Sequence, residues 1–241
     1  MTTSQASYSC YEINQHSHDI YLIKMRSTSE QPIIHESGQY IEVHLDNHVL
    51  PLSIANAPNK EGILEFHLRT HQHDIGMQSL LNAIKQEQPL LLKGPLGQST
   101  LSRAEPGNTL VFLGGGTGFA PIRAILGSLF EKPITRDLFL YWGIRKPQDA
   151  YQIALLEQWR SQFPQFNYTV VLSEPDLFND WNGATGLVHE YCAKSMNNFN
   201  NACVFASGPF QMVKSAFDLY TQIGLKESQF ITDFSFYAHQ R

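Results

Sequence analysis

Four glycines fall within five positions in VFLGGGTGFAPIRAIL, residues 111–126, between an apolar run and an amphipathic one. Glycine lets backbone amides approach a pyrophosphate closely, and a helix beginning just after such a loop turns its positive end toward the same anion. Pro121 suits the first turn of that helix. Yet Phe119 stands where a Gly-x-Gly-x-x-Gly fingerprint needs its third glycine, and no Lys-Ser/Thr pair makes a Walker loop. Glycine content alone leaves two readings open, a dinucleotide cradle and a tight strand-to-helix turn without ligand.

Other chemistries are narrowed by what the residues cannot assemble. Cys10, Cys192 and Cys203 are widely separated and odd in number, so they write neither a disulfide framework nor a zinc site, and four-thiolate iron–sulfur ligation is out of their reach. The pairs His16/His18 and His71/His73 have no cysteine or carboxylate cluster to complete a metal-ligand set and read as surface or loop histidines. A net charge of −5 without a long Lys/Arg run argues against nucleic acid as partner. The N-terminal MTTSQASYSCYEI has no basic region followed by an apolar core, and no apolar run is long enough to cross a bilayer. A cytoplasmic, soluble protein without a metal site is the expectation.

The elements that must position the loop fall into two rhythms. From Tyr8 to about Leu101 the apolar runs are short and rich in β-formers, YSCYEI, IYLIKM, YIEVHL, ILEFHL and PLLLKG, interrupted by one helical pattern, IGMQSLLNAIK over 75–85. This predicts a small antiparallel β-barrel with one helix. After Pro106 the continuous runs TLVFL, LFLYW, YTVVL and ACVFA alternate with helically spaced segments, as in a parallel α/β sheet covered on both faces. The boundary falls in SRAEPGN, giving domains 1–103 and 104–241. The glycine loop then joins the first parallel strand to its helix, at the carboxyl edge where open α/β sheets bind ligands.

In this setting GGGTGFAPI, YWGIRKPQDAY, LSEP with WNGATGLVH, and ASGPFQM, each at a strand end, resemble the ferredoxin-NADP reductase-like superfamily. Within it the pattern is most similar to bacterial NAD(P)H-flavin reductases and to modules related to CDP-6-deoxyglucoseen reductases, over roughly Gly38 to Asp233. The resemblance implies a flavin-binding barrel followed by a pyridine-nucleotide domain, with FAD or FMN and NADH or NADPH as cofactors. It implies that Gly115, Gly116, Thr117 and Gly118 cradle the dinucleotide pyrophosphate, with the Thr117 hydroxyl near the nicotinamide. Arg145 would meet the adenosine side, and Ser207-Gly208-Pro209 would face the nicotinamide, serine standing where many members have cysteine. The alternative for Arg145 is an exposed cation at a strand end. Glu174 disfavours a 2′-phosphate while Arg145 and Lys146 offset it, so NADH is the expected donor.

The flavin half departs from the family pattern. Members carry Arg-x-Tyr/Phe-Ser, for the flavin phosphate, ring packing and the vicinity of N5; here Leu50-Pro51-Leu52-Ser53 stands instead. Loss of the guanidinium removes a strong charge-assisted contact to phosphate, so weak retention of FMN and FAD is expected. Leu52 and Ser53 would still meet the ring, Arg69 stands where related reductases also have arginine, and Gly76 and Ser79 resemble the family's phosphate turn. For Gly76 and Ser79 an ordinary helix cap is the alternative. Asp233, in TDFSFY with Phe234 and Phe236, resembles the family's terminal segment. Three functions fit: an NAD(P)H-dependent flavin reductase using free flavin, with Ser53, Thr117 and Ser207 as its catalytic candidates; a reductase feeding a separate electron-acceptor protein; and a non-catalytic nucleotide-binding relative.

Overall fold

The structure, a computed structural model, describes residues 3–45 and 47–235. In the first half, the strands β1 (Ser4–Gln15), β2 (Ile20–Ser27), β3 (Tyr40–Leu45), β4 (His48–Ser53), β5 (Ile63–Arg69) and β6 (Leu90–Leu96) form one antiparallel sheet in the order β4-β3-β6-β1-β2-β5. The sheet curls until Ile54, just past β4, bridges Phe66 in β5. Alternation sets its inner face: Ile41 and Val43, Leu50 and Leu52, Leu64, Phe66 and Leu68 are all buried in one core. The antiparallel barrel expected from the sequence is this curled sheet.

Strand β4 was not among the apolar runs because Pro51 interrupts it. A proline cannot donate to a ladder, and it is tolerated here because β4 is an edge strand paired only with β3, Pro51 facing Glu42. Helix α1 (Ile75–Lys85) spans the predicted residues and buries Leu80, Leu81 and Ile84 on its inner stripe. Its Asp74 side chain accepts a hydrogen bond from the Met77 amide at 3.0 Å and caps the helix.

In the second half, β7 (Thr109–Gly115), α2 (Phe119–Phe130), β8 (Leu138–Ile144), α3 (Ile153–Gln162), β9 (Phe166–Leu172), β10 (Ala184–Thr185), α4 (Val188–Met196), β11 (Ala202–Ser207), α5 (Phe210–Gln222) and β12 (Phe230–Ile231) follow in turn. The sheet order is β10-β9-β8-β7-β11-β12, with every pairing parallel. Continuous apolar strands follow from cover on both faces. Leu110 and Phe112 pack with α2 residues in one core, while Val111 and Leu113 pack with Val188 and Val213 in the other.

The chain lays strands outward from β7 through β8 and β9, then returns to place β11 on β7's other side. That reversal opens a crevice at the carboxyl ends of β7 and β11. The two six-stranded sheets share no strand, and residues 102–108 lie between β6 and β7.

Candidate active site at the junction of the two sheets

The glycine loop is a single tight turn over Gly116–Gly118 between β7 and α2. Parallel pairing of Leu113 with Ala206 and Gly114 with Ser207 brings it against the turn that follows β11. The contact is backbone on backbone. A Cβ on Gly118 would sit 2.4 Å from the Ser207 carbonyl oxygen, and one on Gly208, whose φ is +143°, would sit 2.9 Å from the Gly115 nitrogen. Gly116 has a φ of +54°, and its carbonyl accepts a hydrogen bond from Trp142 Nε1 at 2.9 Å. Neither Gly118, ahead of α2, nor Pro209, ahead of α5, supplies a side-chain cap, and the first amide of α2, on Phe119, donates back to the Gly116 and Thr117 carbonyls, so that the tight turn continues into the helix.

A cleft of about 950 Å³ opens in front of this loop and is lined by both halves of the chain. Of the residues singled out from sequence, Leu52, Ser53, Arg69, Gly115, Gly116, Thr117, Gly118, Arg145, Ser207, Gly208, Pro209 and Asp233 all line it. Gly76 and Ser79 do not. Gly76 is buried where a Cβ would meet Leu50 Cδ2 at 2.8 Å, and the α1 residues on the cleft wall are Asp74, which caps the helix, and Met77. Arg145 is exposed on the wall and makes no ion pair among the described residues; Lys146 and Glu174 are also exposed and do not line the cleft.

Asp233 closes one side of the cleft by accepting hydrogen bonds from the amides of Gln98 at 2.8 Å and Ser99 at 3.2 Å. This ties the segment after β12 back to the loop that follows β6. Beside it, Phe234 meets Phe210 edge to face with centroids 5.3 Å apart. Phe236 lies outside the described residues.

Arg69 does more than line the wall. Its guanidinium is largely buried, pairs with Asp149 from the second half, and places Nε 3.4 Å from Asp19. Asp149 is 5% exposed at its side chain. A second cross-link lies next to it: the Tyr151 hydroxyl and His67 Nδ1 are 2.8 Å apart, and Tyr151 packs edge-on against Trp142, itself stacked on Phe119. Arg123 of α2 completes the junction by reaching the Ala55 carbonyl at 2.6 Å and Glu65 at 2.8 Å.

Sequence reasoning missed His67, Asp149 and Tyr151, although all three stand inside runs that it quoted. His67 has the strand parity opposite to the core-facing Phe66 and Leu68, which in isolation means solvent; the second half covers it instead. Burial holds the His67 imidazole well below its ordinary pKa, with Arg123 adding to the effect, and burial also lowers His35 and His189. These rings are neutral in the fold, while the unfolded chain takes up protons near pH 6.5. Their contribution to stability is therefore fully present above that pH and is lost progressively as pH falls below it toward the lowered folded values. Melting temperature should drop between pH 7.5 and 5.5, and His67→Gln should flatten the profile; an unchanged profile would contradict this assignment.

The fold and the cleft together define a two-domain oxidoreductase with a flavin-type half and a nicotinamide-nucleotide half. The description "Oxidoreductase FAD-binding domain" matches residues 9–101, and "Oxidoreductase NAD-binding domain" matches residues 112–218. The chain thus carries an FAD-binding and an NAD-binding oxidoreductase domain, in the order its strand-end motifs imply. It is 31% identical over 215 residues to the CDP-6-deoxy-L-threo-D-glycero-4-hexulose-3-dehydrase reductase of Yersinia pestis, covering 89% of this chain and 64% of that protein. It is 27% identical over 204 residues to a "Probable flavin reductase" of Photobacterium leiognathi, covering 83% and 86% respectively. In fold it is similar to the Amycolatopsis cytochrome P450 reductase GcoB, with a TM-score of 0.87 and 21% identity over 96% of this chain and 69% of that one. Among the described residues no helix is long and apolar enough to cross a membrane.

Proposed function

We propose that the chain is an NAD(P)H-dependent flavin reductase, with residues 1–103 as the flavin-binding half, 104–241 as the nucleotide-binding half, and the cytoplasm as its setting. The observation that carries this reading is the single cleft lined both by the glycine loop and by Leu52 and Ser53 of the first sheet. Hydride passes between two rings only when they meet at near-attack distance, and one shared cleft is what that requires.

The residues present fit a nicotinamide dinucleotide. Gly115 and Gly118 have no room for a side chain and Gly116 holds a positive φ, and the turn over Gly116–Gly118, which has no side-chain cap, brings its backbone amides to the cleft for a pyrophosphate. Thr117 and Ser207 supply hydroxyls at the loop and at the facing turn, where they orient the nicotinamide, and Gly208-Pro209 shapes the turn beneath it. Arg145, without an ion-pair partner among the described residues, receives the adenosine end. The ring of a flavin also fits: Leu52 offers an apolar surface and Ser53 a hydroxyl at the end of β4. When bound, FAD, FMN or a simpler flavin supplies the hydride acceptor. Asp233 ties the segment after β12 to the loop after β6 at the edge of the cleft.

A second reading is favoured by the named role of the Yersinia pestis relative, a reductase serving a dehydrase. Here electrons would leave for an acceptor protein, and any iron–sulfur carrier would lie outside these residues, since three cysteines cannot ligate a cluster.

The test follows NADH and NADPH oxidation at the nicotinamide absorbance with riboflavin, FMN or FAD added. Saturable oxidation that requires free flavin is expected. Oxidation only with an added acceptor protein would move the function to the second reading, and no oxidation under either condition would leave a nucleotide-binding protein without catalysis.

A further inference from the structure

We infer that His67 is a positioning residue for hydride transfer, which holds the glycine loop in place through Tyr151 and so sets how closely the two halves of the cleft bring their rings together. The inference rests on the flavin-reducing reading above and adds to it the contact that fixes the distance across that site.

His67 and Arg69 alternate along β5 with the core-facing Phe66 and Leu68, so both point out of the barrel, where the second half covers them. Both end beneath the glycine loop. A Cβ on Gly116 would lie 3.3 Å from Arg69 Nη1. The His67 ring stacks against Phe119, the first residue after the loop, with centroids 6.2 Å apart, and its Nδ1 lies 2.8 Å from the Tyr151 hydroxyl. Tyr151 packs edge-on against Trp142 at 5.2 Å, and Trp142 stacks on Phe119 at 4.6 Å while donating Nε1–H to the Gly116 carbonyl. The four rings close a circuit around the foot of the loop. Interiors packed this tightly transmit a displacement rather than absorb it, so the place of His67 becomes the place of Gly116.

One polar contact gives the circuit its direction. Ring faces and edges slide past one another readily, whereas a hydrogen bond weakens steeply off its line. Burial pushes the pKa of the Tyr151 hydroxyl far up and holds the His67 imidazole neutral, so the bond joins two uncharged groups. Nε2 of His67 is buried with no hydrogen-bond partner among the described residues, so Tyr151 alone orients the ring through hydrogen bonding. An imidazole with one nitrogen unpaired is costlier to bury than a leucine would be. What it supplies is placement.

The test compares the wild type with Tyr151→Phe, His67→Leu and His67→Asn, the last of which leaves an amide near the place of Nδ1. For each, NADH affinity is measured by titration, melting temperature by circular dichroism, and hydride transfer to saturating riboflavin or FMN by stopped flow, with NADH and with NADH deuterated at C4. Tyr151→Phe and His67→Leu are expected to slow hydride transfer at least about tenfold and to raise the isotope effect, since misplacement by about 1 Å can cost about a hundredfold, while the dissociation constant for NADH moves by less than about twofold. Combining the two should be no slower than either alone, because one contact cannot be lost twice, and His67→Asn should stay within about threefold of the wild type. Unchanged hydride transfer in folded Tyr151→Phe would overturn the inference. So would a loss of rate matched in every variant by losses of NADH affinity and melting temperature, which would make the pair merely structural. No hydride transfer to either flavin in the wild type would remove the flavin-reducing reading itself, and the inference with it.

Discussion

Gly118→Ala lowers affinity for NADH or NADPH by about a hundredfold and leaves flavin binding in place. The argument is spatial, since the backbone of Gly118 is ordinary helical geometry. An added methyl would lie 2.4 Å from the Ser207 oxygen, 2.5 Å from its carbon and 2.6 Å from the Gly208 Cα. None of these is the free end of a flexible side chain. Relief requires the loop after β7 to part from the turn after β11, yet the two strands are locked in register up to Gly114 and Ser207. Overpacking of this kind costs about 1–3 kcal/mol, and a hundredfold loss corresponds to about 2.7 kcal/mol. Nucleotide titration of the purified variant decides it; wild-type affinity would show that the loop does not hold the dinucleotide.

Arg69→Met destabilises the folded protein by about 3 kcal/mol, read from chemical denaturation. Its carboxylate partners are 5% and 10% exposed at their side chains, so methionine leaves two buried charges without their cation. Breaking one side of a buried pair typically costs about 3–5 kcal/mol, most of it the penalty on the stranded partner. Adding Asp149→Asn to Arg69→Met should therefore restore at least about 1 kcal/mol, a coupling that additive effects cannot give. Equal losses in the single and double variants would mean that the junction does not depend on this pair. Because Arg69 joins the two halves, the single variant should also loosen their mutual placement and lower turnover more than it lowers nucleotide affinity.

The parallel sheet is legible in the sequence because strands such as TLVFL and ACVFA are buried on both faces and need no alternation to be recognised. The glycine loop is legible from composition, and its place follows once it is set between such a strand and a helix. Strand β4 is harder, since Pro51 looks like a breaker until the sheet order makes it an edge. The junction is hidden for a different reason. Arg69 and Asp149 are 80 residues apart, and His67 and Tyr151 are 84 apart, so no local pattern links either pair. Asp74 lies between these cases: a capping residue ahead of IGMQSLLNAIK can be read from sequence, but its position on the cleft wall, in place of Gly76 and Ser79, follows only from the packing of Leu50 beneath the helix.

The strand order also sets when the cleft can exist during synthesis. β1 lies between β2 and β6, with Ser4 opposite Gly94 and Tyr8 opposite Leu90, so the first strand waits for its second neighbour until residue 94 has been made. At ordinary ribosomal rates that delay is on the order of ten seconds. The last wall arrives later still, when Asp233 reaches back to Gln98 and Ser99, more than a hundred residues behind it. A nascent chain thus displays the glycine loop well before Asp233 can complete the wall of the cleft.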